Sequence, residues 1–155
     1  MQSITILGAT GSIGRSTLDV IGQHPDKYSV FALTGQSQLK LLAQQSVEFN
    51  AKYAVVTDEA SAKQLSQIIK DLKGQTEVLF GEQALCDVAS SSQVQVVMAA
   101  IVGAAGLLPT LSAVESSKKV LLANKESLVM AGSIFMHAVQ QHSANLLPID
   151  SEHNA

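Results

Sequence analysis

With 155 residues, 46% of them apolar and 15% charged, the chain has the length of one domain and can bury a core without disulfides or a structural metal. A formal net charge of −3 lacks the basic excess of a general nucleic-acid binder and sets that class aside. The single cysteine, Cys86, excludes an intramolecular disulfide and a cysteine-based zinc site, suits a reducing cytoplasm, and reads as a small buried hydrophobe.

From the amino terminus, Met1–Leu7 shows neither the charged region nor the long apolar region of a secretory signal. Short runs rich in β-branched residues then alternate with longer amphipathic ones. Strands are predicted over Ile4–Leu7, Val30–Leu33, Tyr53–Val56, Glu77–Leu79, Val96–Ala99, Val120–Leu122 and Leu146–Leu147. Between them lie predicted helices near Ser12–Gly22, Gln38–Phe49, Glu59–Leu72, Gly81–Ala89, Pro109–Ser116 and Ser127–His142. Helical spacing puts Leu39, Leu42, Ala43 and Val47 on one stripe, and Leu128, Ala131, Phe135 and Val139 on another; both are core faces. The alternation predicts an α/β fold of the Rossmann type, doubly wound, with a mostly parallel sheet and helices on both faces. The longest apolar stretch, around Val96–Leu108, is broken by Gly103 and Gly106 and is too short to span a bilayer, so a protein with no membrane partner is expected.

The strongest local signal is Gly8-Ala9-Thr10-Gly11-Ser12-Ile13-Gly14, directly after the first strand and directly before the first helix. A pyrophosphate needs a backbone that turns tightly, approaches without a Cβ in the way and aims helix amides at it, and Gly8, Gly11 and Gly14 meet those needs. A Walker-type loop is excluded, because five residues separate Gly8 from Gly14 and the lysine position holds Arg15. The other reading of the turn is a connector between packed elements.

The choice between NAD and NADP falls at the end of the second strand, where an acid binds the free ribose hydroxyl. The segment Leu33–Lys40 contains no Asp or Glu. Ser37 and Gln38 can donate to a 2′-phosphate and Lys40 can add charge, which favours NADPH; Ser37 or Gln38 can equally cap the next helix.

Three segments farther along end predicted strands at the carboxyl edge where open α/β sheets carry ligands. Ala99–Gly106 is a run of small residues that admits the nicotinamide half of a cofactor to the backbone, or serves close helix packing. Asn124-Lys125-Glu126 offers Lys125 to an anionic substrate and Asn124 or Glu126 to the nicotinamide ribose or amide, or is a polar helix start. In Asp150-Ser151-Glu152-His153 the two carboxylates share a face if the strand continues and can converge on Mg²⁺ or Mn²⁺, although two are too few to complete a site. A solvated acidic loop is the other reading.

The glycine turn, the Ala99–Gly106 run, Ala123–Ser127 and Pro148–His153 together, in order and spacing over the whole chain, resemble the 1-deoxy-D-xylulose 5-phosphate reductoisomerases. The resemblance implies an NADPH-dependent, divalent-metal-requiring enzyme of the non-mevalonate isoprenoid pathway that turns 1-deoxy-D-xylulose 5-phosphate, a sugar phosphate, into 2-C-methyl-D-erythritol 4-phosphate. It implies cofactor binding at Thr10, Gly11, Ser12, Ile13, Asn124 and Glu126, substrate binding at Lys125, Ser151 and Glu152, and metal ligation at Asp150 and Glu152. Lys125, Asp150 and Glu152 are thus the implied catalytic residues. The family's usual Gly-x-Asn after the second strand is here Gln36-Ser37-Gln38. The resemblance further implies residues 1–150 as an NADPH-binding domain, residues 151–155 as the start of a catalytic domain that the chain does not include, a homodimeric full-length protein, and no turnover by this chain alone. A short-chain dehydrogenase is excluded because neither Tyr28 nor Tyr53 is followed four residues on by lysine. A non-catalytic dinucleotide sensor is the alternative.

Overall fold

A computed structural model describes residues 1–123 and 125–149, with the backbone alone for 125–128, 130 and 131. Thirteen elements follow one another as β1 (Gln2–Leu7), α1 (Ser12–Gln23), β2 (Tyr28–Thr34), α2 (Leu39–Glu48), β3 (Tyr53–Val56), α3 (Glu59–Asp71), β4 (Glu77–Phe80), α4 (Glu82–Ser90), β5 (Val96–Ala99), α5 (Leu107–Glu115), β6 (Lys119–Leu122), α6 (Lys125–His142) and β7 (Asn145–Pro148). The strands form one sheet in the order β4-β3-β2-β1-β5-β6-β7, and every neighbouring pair is parallel.

A sheet covered on both faces must bury both faces of its strands. Ile4, Ile6, Ala54, Val56, Val96 and Met98 pack with Leu18 and Ile21 of α1, Leu42 and Ala43 of α2 and Leu65 and Ile69 of α3. Leu7, Val55, Val97, Ala99, Val120 and Leu122 turn the other way, onto Val88 and Ala89 of α4, Ala113 and Val114 of α5 and Ala138 of α6. The stripe predicted on α2 is present, with Leu42 and Ala43 buried and Leu39 and Val47 packed against them. On α6, Phe135 is buried and Val139 is packed.

Strand β2 departs from simple alternation. Its pairing with β1 slips between Ile4↔Val30 and Thr5↔Ala32, leaving Phe31 as an extra residue. Val30 and Leu33 therefore share one face while Phe31 and Ala32 share the other, as a bulge requires.

Local chemistry sets the helix ends. Asp58 accepts the Ser61 amide at 2.8 Å to cap α3, with Glu59 in the first turn and Lys70 in the last complementing the helix dipole. Helix α5 starts at Leu107, two residues before the predicted start, after a 3₁₀ turn over Ala104–Gly106. Pro109 still lies in the first turn, where its missing N–H removes no helical bond. Cys86 is half-buried rather than enclosed, because on α4 it turns away from the inward Val88, two residues on, and borders only Ala89, three residues on, at the margin of the buried face. Among the described residues, no helix is long and apolar enough to cross a membrane.

Candidate functional site

The sheet order reverses between β1 and β5, and a parallel sheet leaves a crevice beyond the carboxyl ends of its strands at such a point. The glycine turn lies there. Gly8 takes φ +87, its amide donates to Thr34 Oγ1 at 2.8 Å, and the next amide, of Ala9, donates to the Thr34 carbonyl at 2.8 Å. The end of β2 thus holds the end of β1 through both backbone and side chain.

The three glycines serve different ends. A Cβ on Gly8 would stand 2.7 Å from the Ala100 carbonyl oxygen, on a backbone conformation that L side chains rarely adopt. On Gly14 it would stand 2.3 Å from the Gly8 carbonyl oxygen and 2.6 Å from both Cα and the carbonyl oxygen of Ala9; this glycine lets α1 press against the turn. Gly11, at φ −78 and ψ 175, is in extended backbone open to any residue, and among the described residues a Cβ there would meet only the Gly8 carbonyl oxygen, at 3.8 Å. The fold makes no demand for glycine at 11. The bare Cα at that position is free for something outside the chain.

Gly11 is also the N-cap of α1, a helix of 12 residues with no side-chain cap and no acid in its first turn. Among the described residues, the amides of Ser12, Ile13 and Gly14 donate to no backbone or side-chain acceptor. Unspent amides and the positive end of the helix dipole favour an anion at this point.

A cleft of about 330 Å³ opens beside the turn. Gly8, Thr10 and Gly11 form one wall, Gly35 to Gln38 the floor beyond β2, Val56 and Thr57 the end of β3, and Ala100, Ile101, Val102 and Ala105 the wall beyond β5. Among the described residues, none that lines the cleft carries a charge. Asp58, which follows the lining residue Thr57 in sequence, is spent on α3, and the hydrogen bonds from the Ser61 amide and hydroxyl hold its carboxyl below the ordinary aspartate range.

Of the predicted cofactor residues, Gly8, Thr10, Gly11, Ser37 and Gln38 line this cleft. Gln38 occupies the N-cap of α2 but makes no side-chain cap; its amide lies 3.5 Å from the Thr10 carbonyl oxygen instead. Ser12 lines a separate hollow between α1 and α2 with Arg15 and Gln45, Ile13 packs against the core, and Gly14 is buried. The Ala99–Gly106 run contributes to the cleft and to packing alike, since a Cβ on Gly106 would stand 2.9 Å from the Ile101 carbonyl oxygen. Lys125 and Glu126 begin α6, after β6 has ended beside β5. Ile149 donates to the Leu122 carbonyl at 2.7 Å, at the same carboxyl edge. Asn124, Asp150, Ser151, Glu152 and His153 lie outside the described residues.

Two residues of the turn's support escaped the sequence reading. Thr34 is a polar residue closing an apolar strand. Gln45 is a polar residue on the inward side of α2, three positions after the buried Leu42 and only 5% exposed; its amide donates to the Ala9 carbonyl at 3.0 Å. A polar side chain on a core stripe was the available signal.

The comparisons bear on the same segments. Residues 4–132 match the family model described as 1-deoxy-D-xylulose 5-phosphate reductoisomerase. The chain belongs to this family. It is 64% identical over all 155 residues to the 1-deoxy-D-xylulose 5-phosphate reductoisomerase of Saccharophagus degradans, of which it covers 40%. Among solved structures it resembles a reductoisomerase in complex with NADPH, fosmidomycin and magnesium, with TM-score 0.93, 49% identity and coverage of 100% of this chain and 38% of that one. It also resembles the Zymomonas mobilis reductoisomerase in complex with NADPH, with TM-score 0.92, 45% identity and coverage of 99% and 40%. The chain thus spans about two fifths of the length of these family members.

Proposed function

We propose that this chain is the NADPH-holding portion of a 1-deoxy-D-xylulose 5-phosphate reductoisomerase, which converts that sugar phosphate to 2-C-methyl-D-erythritol 4-phosphate. The observation that carries the reading is Gly11. It is a glycine that neither backbone conformation nor the packing of the described residues requires, at the uncapped start of α1 and on the wall of a cleft whose described lining is uncharged. Phosphate oxygens brought against that Cα would meet the free amides of the first helical turn.

The residues present fit the cofactor. The pyrophosphate would be held by the backbone of Thr10, Gly11, Ser12 and Ile13, and the 2′-phosphate by Ser37 and Gln38, which present donors and no acid. NADPH supplies a hydride when bound. Ala100, Ile101 and Val102 would keep water from the nicotinamide half, and Asn124 and Glu126 would orient it. Lys125, Ser151 and Glu152 would bind the substrate, and Asp150 and Glu152 would hold Mg²⁺ or Mn²⁺. On this reading residues 1–150 form the dinucleotide-binding domain and residues 151–155 open the catalytic domain, in a cytoplasmic homodimer. Val102, Val129 and Ile134, all exposed, would lie where the rest of the enzyme covers this domain.

The test is a fluorescence titration of this chain with NADPH and NADH, followed by an assay of the full reading frame that encodes it. The expected outcome is tighter binding of NADPH than of NADH, and consumption of NADPH by the full-length protein only with deoxyxylulose phosphate and a divalent metal. Equal affinity for the two nucleotides would overturn the cofactor assignment; binding without turnover by the full-length protein would favour a sensor.

A further inference from the structure

The sequence between Gly8 and Gly11 must present amides, not carbonyls, to an anion, and each peptide unit can face only one way. Ala9 shows how one of them is set. It is fully buried, and its own amide is tied to the Thr34 carbonyl at 2.8 Å. Its carbonyl oxygen lies so close to Cα of Gly14 that a Cβ there would be 2.6 Å away. The same oxygen accepts the side-chain amide of Gln45 at 3.0 Å, across a separation of 36 residues and out of contact with solvent.

No peptide bond among the described residues is cis, so the Thr10 N–H points opposite to the Ala9 carbonyl. Thr10 lines the cleft, and its amide donates to no other group among the described residues. We propose that Gln45 is a positioning residue for the dinucleotide. By drawing the Ala9 carbonyl toward α2, it keeps that oxygen off the phosphate and turns the Thr10 amide onto it. The assignment rests on the NADPH-binding reading given above.

The side chain is suited to this and to little else. Gln45 Oε1 has no hydrogen-bond partner among the described residues, so the bond to Ala9 is the one bond that orients the group. The flipped amide would set Oε1 against the Ala9 carbonyl, acceptor to acceptor, which is unfavourable in a buried site. Ser46, its neighbour on the same buried side, instead returns its hydroxyl to the Leu42 carbonyl at 2.7 Å within its own helix. Methionine at 45 would keep the volume and the helix while removing the donor.

The experiment uses the full reading frame that encodes this chain, as wild type and as Gln45→Met. Affinities for NADPH and NADH are measured by titration, thermal unfolding reports the folded fraction, and the Thr10 amide is followed by ¹⁵N NMR during titration of the wild type with NADP⁺. The expected result is an affinity about tenfold lower in Gln45→Met for both nucleotides, with their ratio unchanged, because the contact concerns the pyrophosphate they share. The Thr10 amide proton should move downfield on binding in the wild type and by less in Gln45→Met titrated in the same way, a difference that a merely structural glutamine would not require. A folded Gln45→Met with wild-type affinity would overturn the proposal, and so would a Thr10 amide unmoved by nucleotide, whether or not the variant folds. Failure of the wild type to bind NADPH would instead sink the underlying reading.

Discussion

Substituting alanine at Gly11 and at Gly14 in separate proteins divides what the turn does for the fold from what it does for a ligand. At Gly14 the new methyl would meet three backbone atoms of the turn within 2.6 Å. None of them can rotate away, and enclosed overpacking of this kind costs about 3 kcal/mol, offset by about 1 kcal/mol of helix propensity gained over glycine. The net loss of about 2 kcal/mol lowers Tm by about 4–8 °C in a chain of this length. At Gly11 the same methyl would meet one atom at 3.8 Å on an ordinary backbone. The weaker N-cap and the reduced freedom of the unfolded chain then roughly cancel, leaving stability within about 0.5 kcal/mol of wild type. Nucleotide binding reverses the order. A methyl at Gly11 holds phosphate oxygens away from the first-turn amides, and loss of one charge-assisted hydrogen bond of about 2 kcal/mol lowers NADPH affinity about thirtyfold. Denaturant unfolding and an NADPH titration on both variants measure the two quantities. A Gly11→Ala protein that unfolds as readily as Gly14→Ala, or that binds NADPH like the wild type, would refute this division of roles between the two glycines.

Other consequences are as direct. Thr34→Val removes the acceptor of the Gly8 amide while keeping shape, so unfolding should show a loss of about 1–2 kcal/mol that Thr34→Ser does not show. Ser37→Asp sets a carboxylate on the floor of the cleft, and titrations should show NADPH bound about tenfold more weakly with NADH little affected. Asp58→Ala removes the α3 cap, lowering Tm at neutral pH. Because the fold depresses the Asp58 carboxyl, its contribution is present above the unfolded aspartate value and vanishes as pH falls through the native one. Melting curves of wild type and variant should therefore converge once the pH has fallen through the lowered native titration of the Asp58 carboxyl.

Parts of the site were legible because they rest on short-range rules. The glycine spacing directly after an apolar run located the turn, since strand, turn and helix are contiguous and each needs its own residue type. The absence of an acid between Leu33 and Lys40 was equally readable. Gln38 was less so: its position matched a helix cap, but a cap depends on where the side chain turns, and it turns toward Thr10. Cys86 was misjudged for the same reason, because its burial follows from which side of α4 meets the sheet.

The family, the alternation of strand and helix and the place of the glycine turn were determined by the sequence itself, through periodicity and the special backbone freedom of glycine. Only the tertiary structure decided that Phe31 is an extra residue in β2, that the Ala100 carbonyl closes on Gly8, and that Gln45 reaches Ala9 from α2. Each of those contacts joins segments separated by tens of residues, and strand order and register bring them together. No local pattern encodes that meeting, because its energy comes from packing both faces of the sheet at once.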